Sequence, residues 1–293
     1  MRSRRRDVLL AYLLLVPAVV LVLGLQIYPL VWQVWFSLTN LSPFVLPSAA
    51  FVGLRNYAEF LRSPGFWQAA ANTVGYMSVT AVLKLAVGIA MALVLYQPFP
   101  GRPLVYLAAF LPWAYPAGVG IMAWYWYMTP PLHTAYGPAM VNLRLFFDSH
   151  VGDGAWGFFS LILFNIWRGG SFTAIFLLAG LNAIPTELFE CAELETRSAW
   201  QRFRGVTLPL LRPYMALAVF LSFTTAFADL ANVWMLTGGR IIFPVIGTYA
   251  YWLGIRDGRF AEAAAYSLSL APLLAVALFV LFRWFDPPEE KVA

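Results

Sequence analysis

The chain has 293 residues, of which 61% are hydrophobic and only 11% charged, with a net charge of +5 and a mean hydropathy of +0.72. Too little polar surface remains to cover a soluble globule of this length, so the composition reads as an integral membrane protein. The basic balance, with a pI near 9.4, suits anionic lipid at an inner leaflet and calls for no nucleic-acid partner.

Apolar runs long enough to cross a hydrocarbon core of about 30 Å recur along the chain. They predict six spans, at 8–36, 67–96, 103–128, 156–182, 206–236 and 262–285. Each is expected to be helical, because lipid offers backbone N–H and C=O groups no partner and runs of about 20 residues exceed a barrel strand. The fold class is therefore an all-α membrane protein, with a single transmembrane domain over 1–293. The first run follows Arg2, Arg4, Arg5 and Arg6. Its apolar part is too long for the core of a signal peptide and lacks a convincing small-residue cleavage site, so it reads as a retained anchor.

An even number of spans puts both termini on one side. If that side is the cytoplasm, its segments hold Arg2, Arg4, Arg5, Arg6, Arg102, Arg197, Arg202, Arg204, Arg212, Arg283 and Lys291. The opposite side holds Arg55, Arg62, Arg144, Arg240, Arg256 and Arg259, and Lys84 and Arg168 fall inside spans. This excess sets the positive-inside orientation. Cys191 is the only cysteine and cannot form an internal disulfide. His133 and His150 are too far apart to make a helical ligand pair, and no metal site is expected. The only lysines are Lys84 and Lys291, neither in a Gly-rich phosphate loop, and no zinc-protease, nucleophile-elbow or Cys-x-x-Cys pattern occurs. No catalytic residues are assigned. The chain is expected to move or hold something.

Between the fourth and fifth runs lies the one strongly charged interior segment, from Glu187 to Arg212. Pro185 disfavours helix at Ile184, and Thr186 is placed to cap a short helix through its hydroxyl. Leu188, Cys191, Ala192 and Glu195 then share one helical face, with Glu190, Glu193 and Arg197 on the polar side. Ser198 to Phe203 can add a further turn or two before Leu208-Pro209 opens the fifth span. On composition alone this is either a helix lying in the headgroups, anchored by Trp200, Phe203 and the arginines, or a surface that another protein approaches closely.

The segment resembles the EAA loop in permease subunits of binding-protein-dependent ABC importers. Glu190-Cys191-Ala192 matches its opening with one substitution, Glu195 stands where Asp is usual, and Val206-Thr207-Leu208-Pro209 matches its close. Thr196 stands where Gly is expected, and a β-branched residue there predicts ordinary helical or extended angles. Along the rest of the chain, Phe51 to Tyr57, Leu111-Pro112-Trp113, Trp167-Arg168-Gly169, Ala179-Gly180-Leu181, and Asp229 followed by Leu236-Thr237-Gly238-Gly239 resemble the carbohydrate-uptake branch, the maltose, trehalose and glycerol-phosphate type.

The resemblance implies a sister permease as heterodimer partner, two ATP-binding subunits that carry ATP and Mg, an extracytoplasmic solute-binding protein, and a carbohydrate-like substrate. It implies no cofactor on this chain and a place in a bacterial or archaeal plasma membrane, among its lipids. It assigns the loop 186–205 to coupling, through Glu190, Cys191, Ala192, Glu195, Thr196, Leu208 and Pro209. It places the substrate path at Trp113 and Ala117, at Asn165, Arg168, Gly169 and Phe172, and at Phe227, Ala228 and Asp229. From spacing alone, Asn165, Arg168 and Phe172 share a helical face. Arg168 and Asp229 are charges within spans, which form a mutual ion pair or meet a solute. Lys84 is expected to snorkel or to meet a helix end. An ion-coupled secondary transporter would show internal repeats and paired midplane acids, whereas Asp229 is the one acid well inside a span. A scaffold protein would have no need of the Glu-Cys-Ala helix with its Leu-Pro exit.

Overall fold

The computed structural model describes residues 2–42, 49–128, 155–227, 229–237, 243–269 and 271–285. Helices make up nearly all of this, joined by one isolated bridge between Thr39 and Phe51. Five helical stretches are long and apolar enough to cross a membrane: Tyr12–Ser37, Pro64–Tyr96, Trp156–Ala183, Ala199–Phe227 and Phe260–Val280. The expected third span is two helices, α5 (Arg102–Ala114) and α6 (Ala117–Met128), bent by 89° between Ala114 and Ala117. Pro116 causes the break: it holds Tyr115 in extended backbone, φ −71° and ψ 135°, where no helix can pass.

The first span joins α1 (Arg2–Val22) to α2 (Tyr28–Ser37) through a wide π-turn, Leu23–Ile27, in which the Tyr28 N–H reaches back to the Leu23 carbonyl. The same device recurs in Phe203–Thr207, where the Leu208 N–H bonds the Phe203 carbonyl. A proline stands two residues after each turn, Pro29 and Pro209. Proline has no N–H and its ring collides with the carbonyl four residues back, so the ladder widens by one residue there.

The chain divides into two compact units. The first, Met1–Trp67 with Tyr249–Ala271, packs α12 (Phe260–Ser269) against α2 and against α3 (Arg55–Leu61). The Asn56 amide latches the end of α2, donating to the carbonyls of Ser37 at 2.7 Å and Thr39 at 2.8 Å. Tyr57 shares a hydrogen bond with the Ser37 hydroxyl, so the Gly53 to Tyr57 motif serves as a clasp.

The second unit, Gln68–Thr248 with Pro272–Ala293, holds most of α4 (Pro64–Tyr96), α5, α6, α7 (Ala155–Ala183), the coupling segment, α10 (Leu208–Phe227) and α11 (Leu230–Thr237). It has two apolar cores. One gathers Ala92, Leu95, Leu177, Leu181, Leu211 and Met215; the other gathers Tyr76, Ile121, Leu161, Phe164, Val233 and Val245. Gly180 lets α7 meet α10: a Cβ there would sit 2.6 Å from the Tyr214 ring and 2.9 Å from Leu211. The expected fifth span, 206–236, is helical from Ala199 but breaks after Phe227, leaving Asp229 outside regular helix between α10 and α11.

Candidate functional site

Along α4 and α7, beside the core of Tyr76 and Phe164 and extending by register toward the other, lies a group of polar side chains. On α4 the residues Thr73, Tyr76, Thr80 and Lys84 fall at i, i+3, i+7 and i+11 and are all buried. The two threonines turn inward onto backbone carbonyls, Thr73 to Ala69 at 2.7 Å and Thr80 to Tyr76 at 2.6 Å. Tyr76 instead donates its hydroxyl across the unit to Asp229 Oδ2 at 2.6 Å, the short distance expected when the acceptor is charged. The Asn165 amide of α7 donates to the same oxygen at 3.0 Å and to the Tyr76 hydroxyl. The break after Phe227 therefore presents a carboxylate to two neutral donors from two other helices.

Arg168, one turn beyond Asn165, does not join this cluster. Its Nε is buried without a hydrogen-bond partner, and among the described residues it forms no ion pair. The expected alternative of a mutual Arg168–Asp229 pair is not formed among the described residues; Asp229 Oδ2 accepts from Tyr76 and Asn165 instead.

Lys84 corrects the sequence expectation outright. It neither snorkels nor meets a helix end, but lies 3% exposed inside the unit, within Coulombic reach of both Asp229 and Arg168. Gly169 makes this burial possible: a Cβ there would stand 2.5 Å from Lys84 Cε and 3.1 Å from its Nζ. The Gly of Trp167-Arg168-Gly169 is thus a seat for a lysine stem. The signal was present in the four polar residues on one face of α4.

The aromatic residues sort differently. Trp113 stacks on Phe172 with ring centroids 5.2 Å apart and 14° between planes, and Trp113 stays 43% exposed. Phe172 also meets Phe176 edge-on. Phe227 packs against the core of Tyr76 and Phe164. Ala117 is half-buried at the start of α6. Ala228, Gly238, Gly239, His133 and His150 lie outside the described residues.

The coupling segment is built from α8 (Thr186–Glu195) and α9 (Ala199–Arg202), continued through the π-turn into α10. Thr186 is the first helical residue and supplies no capping bond, contrary to its expected role. Pro185 occupies the cap position and fixes the approach of the chain, with φ −56°. Ala192 is buried, and Phe189 stacks toward Tyr96 at 5.9 Å as it packs on the core that contains Leu177 and Leu211. Glu190, Cys191 and Glu195 face outward, and so does Leu194, at 89% exposed. Leu208 and Pro209 are half-buried at the start of α10.

Thr196 adopts φ −151° and ψ 140°, extended backbone open to any residue. Its hydroxyl accepts from the Ser198 N–H at 3.2 Å and donates to the Gln201 side chain. Ser198 then caps α9 by accepting from the Gln201 N–H. Arg202 reaches back toward Glu193 at 3.8 Å, in a partly exposed pair of little energetic weight.

The chain is similar to several known proteins. The trehalose/maltose transport system permease protein MalF of Thermococcus litoralis is 32% identical over 243 residues, 81% of this chain and 80% of its own length. The sulfoquinovosyl glycerol transport system permease protein SmoG of Agrobacterium fabrum is 34% identical over 278 residues, 94% of this chain and 87% of its own. A bacterial ABC transporter that imports the acidic polysaccharide alginate has a chain that superposes with a TM-score of 0.74 at 18% identity, covering 99% of both chains. Residues 84–287, from the buried lysine through the coupling segment to the last helix, match the family model itself, and the chain belongs to the binding-protein-dependent transport system inner membrane components.

Proposed function

We propose that the chain is one of two homologous permease subunits that line the path of a carbohydrate or carbohydrate-like solute across a bacterial or archaeal plasma membrane, with both termini in the cytoplasm. ATP and Mg belong to two partner ATP-binding subunits, and a soluble binding protein delivers the solute from outside. Family membership sets aside the ion-coupled and scaffold readings, and the names of the relatives, for trehalose, maltose and sulfoquinovosyl glycerol, favour a sugar.

The observation that carries the coupling role is the construction of α8. Its inner side is fixed by buried Ala192 and by Phe189 on the core formed by α4, α7 and α10. Its outer side offers Glu190, Cys191, Leu194 and Glu195 to a partner. A displacement imposed on α8 by closing ATP-binding subunits passes into three spanning helices through packed side chains, which yield little. Thr196 and Ser198 fasten the exit of α8 to α9, so the joint stays stiff. In the solute path, Asn165, Arg168, Gly169 and Asp229 form the polar part and Trp113 with Phe172 the aromatic part, while Ala117 and Phe227 shape its walls.

Reconstitution with the sister permease, the ATP-binding subunits and the binding protein tests this reading. ATP-dependent uptake of a labelled sugar is expected, with hydrolysis stimulated by the loaded binding protein. Assembly of the complex without either activity would overturn it.

A further inference from the structure

We infer that Lys84 and Arg168, converging at Gly169, select a solute that bears negative charge, so that the carbohydrate carried is an acidic one: a carboxylated, sulfonated or phosphorylated sugar. The inference rests on the transport reading above and narrows its substrate class.

Three formal charges meet in the polar group along α4 and α7. Lys84 and Arg168 are cations and, among the described residues, Asp229 is the one acid, which leaves one positive charge in excess. The carboxylate carries one charge against two. Its Oδ2 already accepts from Tyr76 and from Asn165, the Arg168 Nε is buried without a hydrogen-bond partner, and neither cation forms an ion pair among the described residues. Lys84 is nevertheless 97% buried by its 3% exposure, and its Nζ lies over Gly169, one residue from Arg168.

An uncompensated cation away from water is costly, and within a span it faces a partner or a wet cavity. One turn on from Arg168 stands Phe172, stacked with the half-exposed Trp113, and flat aromatic faces accept the apolar side of a pyranose ring. A ring lying there with an anionic substituent toward Gly169 would supply the missing charge and receive donors from both cations. A neutral sugar would leave the excess charge unmet.

Uptake by the complete transporter in proteoliposomes decides the matter, with matched labelled probes that differ only at C6: methyl glucoside against methyl glucuronide, and glucose against its 6-sulfonate. The acidic member of each pair is expected to enter at least tenfold faster. Lys84→Met and Arg168→Met, which keep stem volume without charge, are each expected to erase that ratio. Co-purification with the sister permease shows that the variants assemble, and the ratio in the unsubstituted protein stands independently of them. Neutral probes carried as fast as acidic ones, with hydrolysis stimulated normally, would overturn the inference and leave the transport reading in place. If no probe enters and the binding protein fails to stimulate hydrolysis, the transport reading falls and the inference with it.

Discussion

Tyr76 of α4 donates its hydroxyl to Asp229 at the break between α10 and α11, at 2.6 Å, and Asn165 of α7 completes the contact. Three helices are therefore tied at one carboxylate oxygen, where the sequence alone left Arg168 as either an ion-pair partner or a solute contact. Tyr76→Phe removes a charge-assisted donor from a buried acceptor, which costs about 1–3 kcal/mol. In double-mutant cycles read by thermal unfolding of the purified complex, Tyr76 is expected to couple to Asp229 more strongly than Arg168 does. The reverse order would mean that the ion pair forms after all.

Gly180 sits where α7 meets α10, with the Tyr214 ring 2.6 Å from a would-be Cβ. Gly180→Leu gains up to about 1 kcal/mol in helix propensity. Overpacking against Tyr214 and Leu211 costs about 1–3 kcal/mol and grows with the size of the added side chain, so the clash decides the sign. A lower unfolding temperature of the complex is expected, together with loss of coupling, since Phe189 docks on the same core.

Thr196→Gly restores the residue usual in the family yet is expected to loosen this chain. The substitution deletes the hydroxyl that accepts from Ser198 and donates to Gln201, and adds backbone freedom worth about 0.5–1 kcal/mol. More ATP should be hydrolysed per solute carried, whereas Thr196→Ser should hold the parental ratio. Uptake and hydrolysis measured on the same vesicles give that ratio.

Glu190→Lys reverses a charge on the outer side of α8 and disturbs no buried contact. Insertion and assembly of the permease pair are expected to survive, while uptake and solute-stimulated hydrolysis are lost. Unimpaired uptake in this variant would return α8 to the role of a helix lying in the headgroups.

The spans were legible because apolar length is a one-dimensional property, and the coupling segment because its charges stand alone in an apolar chain. The bend of the third span at Pro116 was not legible in hydropathy, which is high on both flanks. Asp229 was visible as an intramembrane acid, but its partner was not. Tyr76 looks like one more aromatic in a chain rich in them, and only the fold reveals that its hydroxyl crosses to another helix. Lys84 was misjudged for a related reason: a lone lysine in a long apolar helix reads as one that snorkels, until Gly169 on a helix more than eighty positions away is seen to make its seat. Thr186 looked like a cap and is instead the first residue of the helix it precedes in the sequence pattern.

The central claim is that α8 faces the cytoplasm and receives the ATP-binding subunits, and the chain carries its own probe for it. Cys191 is the only cysteine and lies exposed on α8 beside Glu190. A membrane-impermeant maleimide should label Cys191 in inside-out vesicles and not in intact cells, and bound ATP-binding subunits should protect it. Labelling from the outer face, or labelling in inside-out vesicles that those subunits leave unchanged, would contradict the account.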